Sequence, residues 1–239
     1  LRSDSDNGSY LLSVRRAVAS YRHFENFKRD KAYNKILEHV SREDGQIYLD
    51  VLKSRDDGIL EAARPTLLQS DVIGNPRKYD YAGESLSPTT LRYLKVASDL
   101  KRLFGGQIGS KIAEIGGGYG GQALVCDDVF KTEEYHIFDL PDVTRLVSRY
   151  LESFLMHGSY VTHTLNAAQV DSFDLIISNP PWENANPDTV ADFALYDPGF
   201  QLMKSILSGA RARLRRGGKL LLAYGCVTAI RTIEELAPA

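Results

Sequence analysis

The chain has 239 residues, of which 43% are apolar, so it is long enough for one large domain with a full hydrophobic core. Its formal charge of −2 gives no overall attraction to nucleic acid or to anionic membranes, which favours a small, soluble partner. No apolar stretch approaches the ~20 residues that cross a bilayer, and the start lacks the apolar core of a signal peptide, so we expect a cytoplasmic protein without membrane contact.

The N-terminal part of the chain, residues 1–105, has apolar side chains at helical spacing, many charges and little strand signal. Residues 10–63 are predicted to form two or three helices. Their basic side chains are expected to form a solvated face. These side chains are Arg15, Arg16, Arg22, Lys28, Arg29 and Lys31. We therefore predict an N-terminal helical region at 1–105 that contributes the substrate site and a lid.

The lid is expected in a segment rich in turn-forming residues, 71–87, which also contains Tyr79 and Tyr81. Glycine, asparagine and proline at this density predict a loop, and the aromatic rings within it suit contact with a ligand. A serine-proline pair then supplies a cap and a first-turn proline for a helix that ends at Gly105. A loop followed by one long helix is the prediction for this stretch.

Beyond this helix, short apolar runs alternate with amphipathic stretches. The runs predict strands at 111–115, 134–139, 160–165, 174–179 and 219–224. The stretches between them predict helices near 120–129, 143–155 and 199–214. Such alternation is typical of a parallel sheet covered by helices on both faces, with a ligand site at the carboxyl ends of the strands where strand order reverses. The sequence thus predicts an α/β fold with a Rossmann-like domain at 106–239.

A run of glycines, EIGGGYGG at 114–121, follows the first predicted strand of this sheet and opens a helix. This context is that of a nucleotide-binding turn, in which glycines let the backbone turn tightly and approach a ligand closely. The run also satisfies the glycine pattern of dinucleotide-binding folds, so NAD is an alternative ligand. Glu114 favours S-adenosylmethionine, because a carboxylate there would repel a pyrophosphate but attract the ammonium of a methionine end.

Asp139 ends the next predicted strand, where a carboxylate can accept hydrogen bonds from both hydroxyls of a ribose. The alternative is that Asp139 caps the following helix, which has Pro141 in its first turn. The predicted cofactor contacts are Glu114, Gly116, Gly117, Gly118, Tyr119, Gly120, Asp139, Leu140 and Asn179.

The fourth predicted strand of the sheet, DLIIS, runs directly into the motif NPPW at 179–182. The side-chain oxygen of Asn179 and the carbonyl of Pro180 can accept hydrogens from a planar amine and leave its lone pair free to attack a methyl sulfonium. Trp182 would stack on that acceptor. Alternatively, the prolines only stiffen the loop, and Asn179 merely touches the cofactor.

A hydroxyl acceptor would need a general base, and the nearest carboxylates in the sequence are Glu183 and Asp197, beside Tyr196. The predicted catalytic residues are Asn179, Asp197 and Glu183. The predicted acceptor contacts are Pro180, Trp182, Tyr79, Tyr81 and Arg92.

The histidines and cysteines of the sheet region are expected to have structural rather than catalytic roles. His136 and His163 fall within predicted strands and are expected at the core or at an edge. Cys126 and Cys226 are far apart and lack ligand spacing, so we predict two buried thiols and no metal site.

At these motifs the chain resembles the Rossmann-like, class I superfamily of S-adenosylmethionine-dependent methyltransferases. Within residues 30–155 it is similar to a family of bacterial sugar O-methyltransferases. The similar segments are IGNPRKYDY (73–81), SPTTLRYLKVASDLK (87–101), IAEIGGGYGGQALV (112–125) and YHIFDLPDV (135–143). This resemblance implies methyl transfer to a sugar hydroxyl, with cofactor contacts at Glu114, Gly116, Gly118, Gly120 and Asp139.

The C-terminal half departs from that family. Its segments SNPPWENANP, LYDPGF and RRGGKLLLAYG resemble enzymes that methylate planar nitrogens in glutamine side chains or nucleobases. After the fifth strand only a short helix at 228–236 is predicted, whereas the superfamily closes its sheet with a hairpin. Either the chain is a fragment, or this helix covers the exposed edge of the fifth strand.

The two halves therefore imply one cofactor and two kinds of acceptor. We expect in-line transfer to a sugar hydroxyl, because the longer and less generic similarity lies in the N-terminal half. N-methylation of a planar amine through NPPW is the alternative. An NAD-dependent oxidoreductase and a non-catalytic cofactor-binding module are more remote alternatives.

Overall fold

The computed structural model of the chain describes residues 8–164, 172–180, 184–186, 196–223 and 233. Its N-terminal part consists of short helices joined by tight turns. In chain order these are α1 (Ser9–Ala19), α2 (Tyr21–Phe24), a 3-10 turn (Phe27–Arg29), α3 (Lys31–Asn34), α4 (Arg42–Arg55), α5 (Ile59–Ala62) and α6 (Arg64–Ser70). The prediction of two or three helices over 10–63 was therefore wrong in number.

Capping side chains explain why this stretch divides into more helices than the apolar spacing predicts. One carboxylate oxygen of Asp30 accepts hydrogen bonds from the backbone nitrogens of Ala32 at 2.9 Å and Tyr33 at 3.2 Å, which starts α3. The hydroxyl of Ser41 accepts a hydrogen bond from the backbone nitrogen of Asp44 at 3.0 Å, which starts α4. Each cap satisfies amides that a continuous helix would have paired internally.

The predicted loop at 71–87 contains a β-hairpin, so that prediction was wrong for its second half. Strands β1 (Tyr79–Tyr81) and β2 (Glu84–Leu86) pair antiparallel. The residues between them, Ala82 and Gly83, both have positive φ angles of 55° and 91°. Two successive left-handed residues form the tight hairpin turn whose twist matches that of the strands.

Helix α7 (Pro88–Phe104) confirms the long helix predicted from its serine-proline start. Ser87 occupies the expected cap position, but its side chain makes no capping hydrogen bond, and Asp71 at the end of α6 binds the start of the helix instead. The Asp71 carboxylate accepts hydrogen bonds from the Ser87 backbone nitrogen and the Thr90 hydroxyl, both at 2.6 Å. Gly105, with a φ angle of 72°, ends the helix.

The remaining strands form one parallel sheet, which confirms the predicted α/β fold. They are β3 (Lys111–Ile115), β4 (Glu134–Asp139), β5 (Ser159–Thr164), β6 (Phe173–Ser178) and β7 (Leu214–Leu222). Their order across the sheet is β5-β4-β3-β6-β7, and every neighbouring pair is parallel. Strand order thus reverses between β3 and β6.

The helices of this part are α8 (Gly121–Phe130), α9 (Pro141–Leu151) and α10 (Gln201–Arg213). Strand β7 begins five residues before its predicted start, at an irregularity in its pairing with β6 between Phe173 and Leu175. The predicted helix at 228–236 lies outside the described residues except for Ile233, which packs near Phe200 and Met203.

One hydrophobic core joins the N-terminal helices to the sheet. It contains Val14 of α1, Leu94 of α7, Ile112 of β3 and Val147 of α9, all of which are fully buried. The core therefore crosses the predicted boundary at residue 105. Among the described residues, no helix is both long and apolar enough to cross a membrane.

Candidate functional site

The point where strand order reverses lies between the carboxyl ends of β3 and β6. The two ends are joined by a hydrogen bond of 2.9 Å from the hydroxyl of Ser178 to the carbonyl oxygen of Ile115. In parallel α/β sheets a ligand crevice opens at such a reversal, because the loops that leave the two strands diverge to opposite faces. The glycine turn leaves β3 here, and the segment beginning with Asn179 leaves β6.

The glycine turn has the backbone conformation that its composition predicted. Gly116, Gly118 and Gly120 have φ angles of 81°, 59° and 92°, which favour glycine. A Cβ atom on Gly116 would meet no atom within 4 Å, whereas one on Gly117 would lie 2.4 Å from the Ile137 side chain. The turn is therefore closed towards the sheet and open at Gly116, which leaves room for a ligand against the backbone.

Asp139 is bound to this turn from the end of β4. One carboxylate oxygen accepts a hydrogen bond from the Gly118 backbone nitrogen at 3.0 Å, and the other accepts one from the Leu140 nitrogen at 2.7 Å. Leu140, rather than Asp139, occupies the cap position of α9. Burial raises the pKa of Asp139 to about 6, although both amides lower it.

Glu114 lies beneath the same turn and is buried in β3. The hydroxyl of Tyr135 donates a hydrogen bond of 3.0 Å to its carboxylate. Burial raises the pKa of Glu114 to about 8, the Tyr135 hydrogen bond lowers it, and the charge of Asp139 raises it. Two carboxyl groups with raised pKa values thus lie at adjacent strand ends, a pattern common at functional sites.

The N-terminal region packs against the glycine turn. A Cβ atom on Gly118 would lie 3.2 Å from the Leu37 side chain, so the segment after α3 contacts the glycine turn. Tyr119, in the turn itself, is fully buried, and its ring meets those of Phe27, Tyr93 and Tyr150 edge-on. The aromatic packing fixes the N-terminal region against the sheet domain.

Lys28 was expected on a solvated face, and that expectation was wrong. The side chain is fully buried, with Nζ 4.3 Å from the centre of the Tyr119 ring and 4.9 Å from that of Tyr150. Nζ donates a hydrogen bond of 3.1 Å to the carbonyl oxygen of Ser70. Burial lowers the pKa of Lys28 to about 8. The many basic residues around Lys28 in the sequence predicted an exposed side chain. Aromatic rings from distant parts of the chain instead form a buried site for the cation.

Near Lys28 the structure brings together polar side chains that the sequence patterns did not single out. Two buried polar atoms here, the Tyr33 hydroxyl and one carboxylate oxygen of Glu38, have no hydrogen-bond partner among the described residues. The buried hydroxyls of Thr89 and Tyr119 interact with the side chains of Glu38 and Tyr93. Arg92, a predicted acceptor contact, is half-buried beside them, with its guanidinium carbon 5.4 Å from the centre of the Tyr93 ring.

The hairpin tyrosines have different positions. Tyr81 is buried, and its hydroxyl donates a hydrogen bond of 3.2 Å to the carbonyl oxygen of Arg42. Its ring packs so closely on α4 that a Cβ atom on Gly45 would collide with the Tyr81 hydroxyl. Tyr79 is half-buried and packs against the hydrophobic core. Tyr81 therefore fastens the hairpin to α4, and the acceptor role of both tyrosines stays a prediction.

The segment after β6 is described only in part. Asn179 is exposed at the strand end and Pro180 is buried, whereas Trp182 and Glu183 lie outside the described residues. Asp197 is buried, and its two carboxylate oxygens accept hydrogen bonds from the backbone nitrogens of Leu202 at 2.8 Å and Met203 at 3.0 Å. Asp197 thus caps the start of α10, and its role as a base stays a prediction.

The sheet histidines lie where the strand pattern placed them. His136 is buried, its ring stacks on that of His163, and the two rings share a hydrogen bond of 2.8 Å. Cys126 is a buried free thiol, as expected, and Cys226 lies outside the described residues. Within the described part of the chain, no group of three or more histidine, cysteine, aspartate or glutamate side chains is placed to hold a metal ion.

Residues 97–231 match a family model described as the methyltransferase small domain. None of the curated proteins matches the chain significantly.

Several solved structures resemble the fold in part. A candidate methyltransferase from Bacillus halodurans shares 19% identity over 52% of this chain and 50% of its own, with a TM-score of 0.35. Human N-acetylserotonin methyltransferase, solved with S-adenosylmethionine, shares 14% identity over 99% of this chain and 56% of its own, with a TM-score of 0.37. An O-methyltransferase family protein from Burkholderia thailandensis shares 12% identity over 91% of this chain and 76% of its own, with a TM-score of 0.33. The chain spans about half the length of the first two.

Proposed function

The chain belongs to the methyltransferase small domain family, and from that membership we propose that it is an S-adenosylmethionine-dependent enzyme that methylates a hydroxyl group of a sugar. The observation that carries the proposal is the open glycine turn at the strand reversal, hydrogen-bonded to a carboxylate at the end of the neighbouring strand. An adenosyl cofactor needs both a backbone that it can approach closely and an acceptor for its ribose hydroxyls.

The proposed cofactor contacts follow from this geometry. The Asp139 carboxylate would accept hydrogen bonds from the ribose, since each oxygen has a lone pair left after binding a backbone amide. Gly116 would lie against the cofactor, because its outer side is free of protein atoms. Glu114, whose pKa is raised to about 8, would lose its proton as the ammonium of the methionine end binds, and the resulting carboxylate would pair with that ammonium from beneath the turn. The bound cofactor supplies an electrophilic methyl group on a sulfonium.

The proposed acceptor is a hydroxyl because the similarity to sugar O-methyltransferases covers the glycine turn, the strand end at Asp139 and much of α7. Methylation of a planar amine is the second candidate, and the exposed position of Asn179 at the end of β6 favours it. In either case, the enzyme's contribution is mainly to hold the acceptor in line with the methyl group, a form of positioning that lowers the barrier by several kcal/mol.

Calorimetric titration of S-adenosylhomocysteine and of NAD into the protein tests the cofactor. We expect the first to bind and the second not to bind, and the reverse result would support an oxidoreductase. Transfer from S-adenosylmethionine with a labelled methyl group, offered to separate panels of sugars and of planar amides and bases, then tests the acceptor.

Asn179→Ala distinguishes the two acceptors further. Amine transfer needs the amide oxygen as a hydrogen-bond acceptor, so its loss would lower turnover by about 10²-fold or more. Hydroxyl transfer makes no such demand, and we expect the variant to keep most of its activity on a sugar. Inactivity of Asn179→Ala, together with labelling of the amide or base panel, would favour the second candidate.

A further inference from the structure

We propose that the buried polar group formed by Tyr33, Glu38, Thr89, Arg92 and Tyr119, here called the Glu38 cluster, is the acceptor subsite, and that the Glu38 carboxylate takes the proton of the hydroxyl to be methylated. The inference rests on the proposed function. It assigns the catalytic base to the N-terminal region, whereas the sequence motifs favoured the segments after β6.

The Glu38 cluster holds buried polar atoms that are not paired. Tyr33 and Tyr119 are fully buried, Thr89 is 1% exposed and Glu38 is 6% exposed. The Tyr33 hydroxyl and one carboxylate oxygen of Glu38 have no hydrogen-bond partner in the described part of the chain, whereas the hydroxyls of Thr89 and Tyr119 interact with the side chains of Glu38 and Tyr93. Because buried polar atoms are nearly always paired, two unpaired ones in one cluster indicate a place that a polar ligand or ordered water completes.

The Glu38 cluster lies beside the predicted cofactor site. Leu37, the neighbour of Glu38, contacts the glycine turn at Gly118. Burial raises the pKa of Tyr33 well above its ordinary value, and nearby tyrosines and the charges of Glu38 and Asp139 raise it further, so Tyr33 is near both carboxylates. A ligand in the cluster would thus be next to a cofactor on the turn.

Glu38 lies among charged side chains. The cationic side chains near it are Lys28 and Arg92, and Asp71 is the nearby anion. Burial raises the pKa of Glu38, while Lys28, the Thr89 hydroxyl and Arg92 lower it. A buried carboxylate with a raised pKa and an oxygen without a partner is suited to accept the proton of a hydroxyl bound against it.

Three other carboxylates already accept hydrogen bonds at both of their oxygens. Both oxygens of Asp71 accept hydrogen bonds that cap α7, and both oxygens of Asp197 cap α10. Both oxygens of Asp139 bind backbone amides of the turn and of α9's start. Glu38 differs because one of its oxygens is free to bind the hydroxyl of an acceptor.

The chemical step is balanced within this arrangement. The acceptor oxygen forms a bond to the methyl carbon while its proton moves to the Glu38 carboxylate. The bond from that carbon to the sulfonium sulfur breaks, and its electron pair stays on sulfur. The positive sulfonium and the negative carboxylate both become neutral, so the products are a methyl ether, S-adenosylhomocysteine and a protonated Glu38.

The composition of the cluster indicates the class of acceptor. The cluster combines hydroxyl, guanidinium and carboxylate groups with tyrosine rings, so the subsite offers hydrogen-bond donors and acceptors beside flat apolar faces. A compound with several hydroxyls on an apolar ring, such as a pyranose, matches both properties.

Glu38→Gln tests the inference, with Glu61→Gln on α5 as the matched control because Glu61 is exposed there. We expect both variants to keep the melting temperature of the wild type and to bind S-adenosylhomocysteine within about twofold of its affinity. With the best sugar of the panel, Glu38→Gln should lower kcat by about 10²-fold or more, as the loss of a general base does.

The pH profile separates a base from a structural residue. Wild-type kcat should fall at acidic pH as Glu38 becomes protonated, and Glu38→Gln should lack this acidic limb. Glu38→Asp should restore part of the activity together with the limb.

Two results would overturn the inference while leaving the proposed function in place. They are normal turnover of Glu38→Gln on a sugar and an unchanged acidic limb in that variant. By contrast, a wild-type protein that does not bind S-adenosylhomocysteine, or that binds it but labels no member of the sugar panel, would refute the proposed function itself, and the inference with it.

Discussion

At the scale of single residues, the carboxylate of Asp139 connects the chemistry to the fold, because it holds the Gly118 amide and faces the predicted ribose site. We expect Asp139→Ala to weaken S-adenosylhomocysteine binding by about 1.5–3 kcal/mol, the usual size of hydrogen bonds to a charged group. Calorimetry measures this loss. Asp139→Asn is the control, since its amide oxygen can still accept one hydrogen bond, and it should lose less. Equal affinity of all three proteins would place the ribose elsewhere.

If Asp139 and Glu114 contact the cofactor, their raised pKa values make its binding dependent on pH. Their pKa values of about 6 and about 8 exceed the ordinary values of 3.8 and 4.5. A ribose hydroxyl and an ammonium both bind better to a carboxylate than to a carboxylic acid, so affinity should increase as pH rises through this range. Between the two pKa values, affinity should fall by up to about tenfold per pH unit as Glu114 is protonated, and it should fall more steeply below the pKa of Asp139, where both groups take up a proton.

Calorimetry in two buffers of different ionisation enthalpy checks this expectation, because it measures the protons that cofactor binding releases at neutral pH. An affinity that is constant over this pH range would contradict the assignment of both carboxylates.

The same two groups have the opposite effect on the folding stability of the protein without ligand. Because their pKa values are raised in the folded state, the folded state holds protons that the unfolded state loses. Their contribution to stability therefore decreases as pH rises from about 4 to about 8.

At the scale of elements, the glycine turn depends on backbone angles that side chains disfavour. Gly118→Val should abolish cofactor binding, because Gly118 has a φ angle of 59° and a side chain there would press against Leu37. Gly58→Val is a matched control, since Gly58 has a φ angle of 77° and open space around it but starts α5 instead. Both variants should lose stability in thermal melts, and only Gly118→Val should lose affinity. An intact cofactor affinity in Gly118→Val would exclude this turn as the binding site.

The sequence predicts the elements of the sheet well, for a physical reason. Strands β3 and β4 have the predicted bounds because a buried parallel strand is a short apolar run, and a glycine turn or a loop residue ends it sharply. The hairpin at 79–86 escaped prediction because the left-handed conformation of Ala82 is not visible in its residue type. The glycine turn and Asp139 also follow from local motifs, and the structure brings them together at the strand reversal, but their role as the cofactor site stays a prediction.

Lys28 and Glu38 were not predictable in this way. Lys28 is buried against Tyr119 and Tyr150, which are far from it in the chain, and a count of charges along one helix cannot reveal such partners. Likewise, the unpaired oxygen of Glu38 becomes informative only once Thr89 and Arg92 of α7 are known to lie nearby. Local sequence patterns identify residues whose role depends on their neighbours in the chain. Residues whose partners come from distant segments can be recognised only in the tertiary structure.

At the scale of the whole molecule, the continuous core predicts that the helical region and the sheet unfold together. Full-length protein should give one cooperative thermal transition, with calorimetric and van't Hoff enthalpies that agree. Residues 106–239 alone should give no such transition, because α1 and α7 cover apolar surface of α8 and α9. A fragment that melts cooperatively would show that the predicted boundary at 105 separates two independent folding units.

The buried tyrosines around the glycine turn also determine how the protein responds to strong alkali. Burial raises the pKa values of Tyr10, Tyr33, Tyr119, Tyr135 and Tyr150 well above the ordinary value of 10.0. The folded state therefore keeps protons that the unfolded state gives up, and its stability decreases as pH rises past that value. In a spectrophotometric titration, the absorbance of tyrosinate should rise in two stages. The first is immediate and reversible and comes from surface phenols, and the second is slow and appears only as the circular dichroism of the fold is lost.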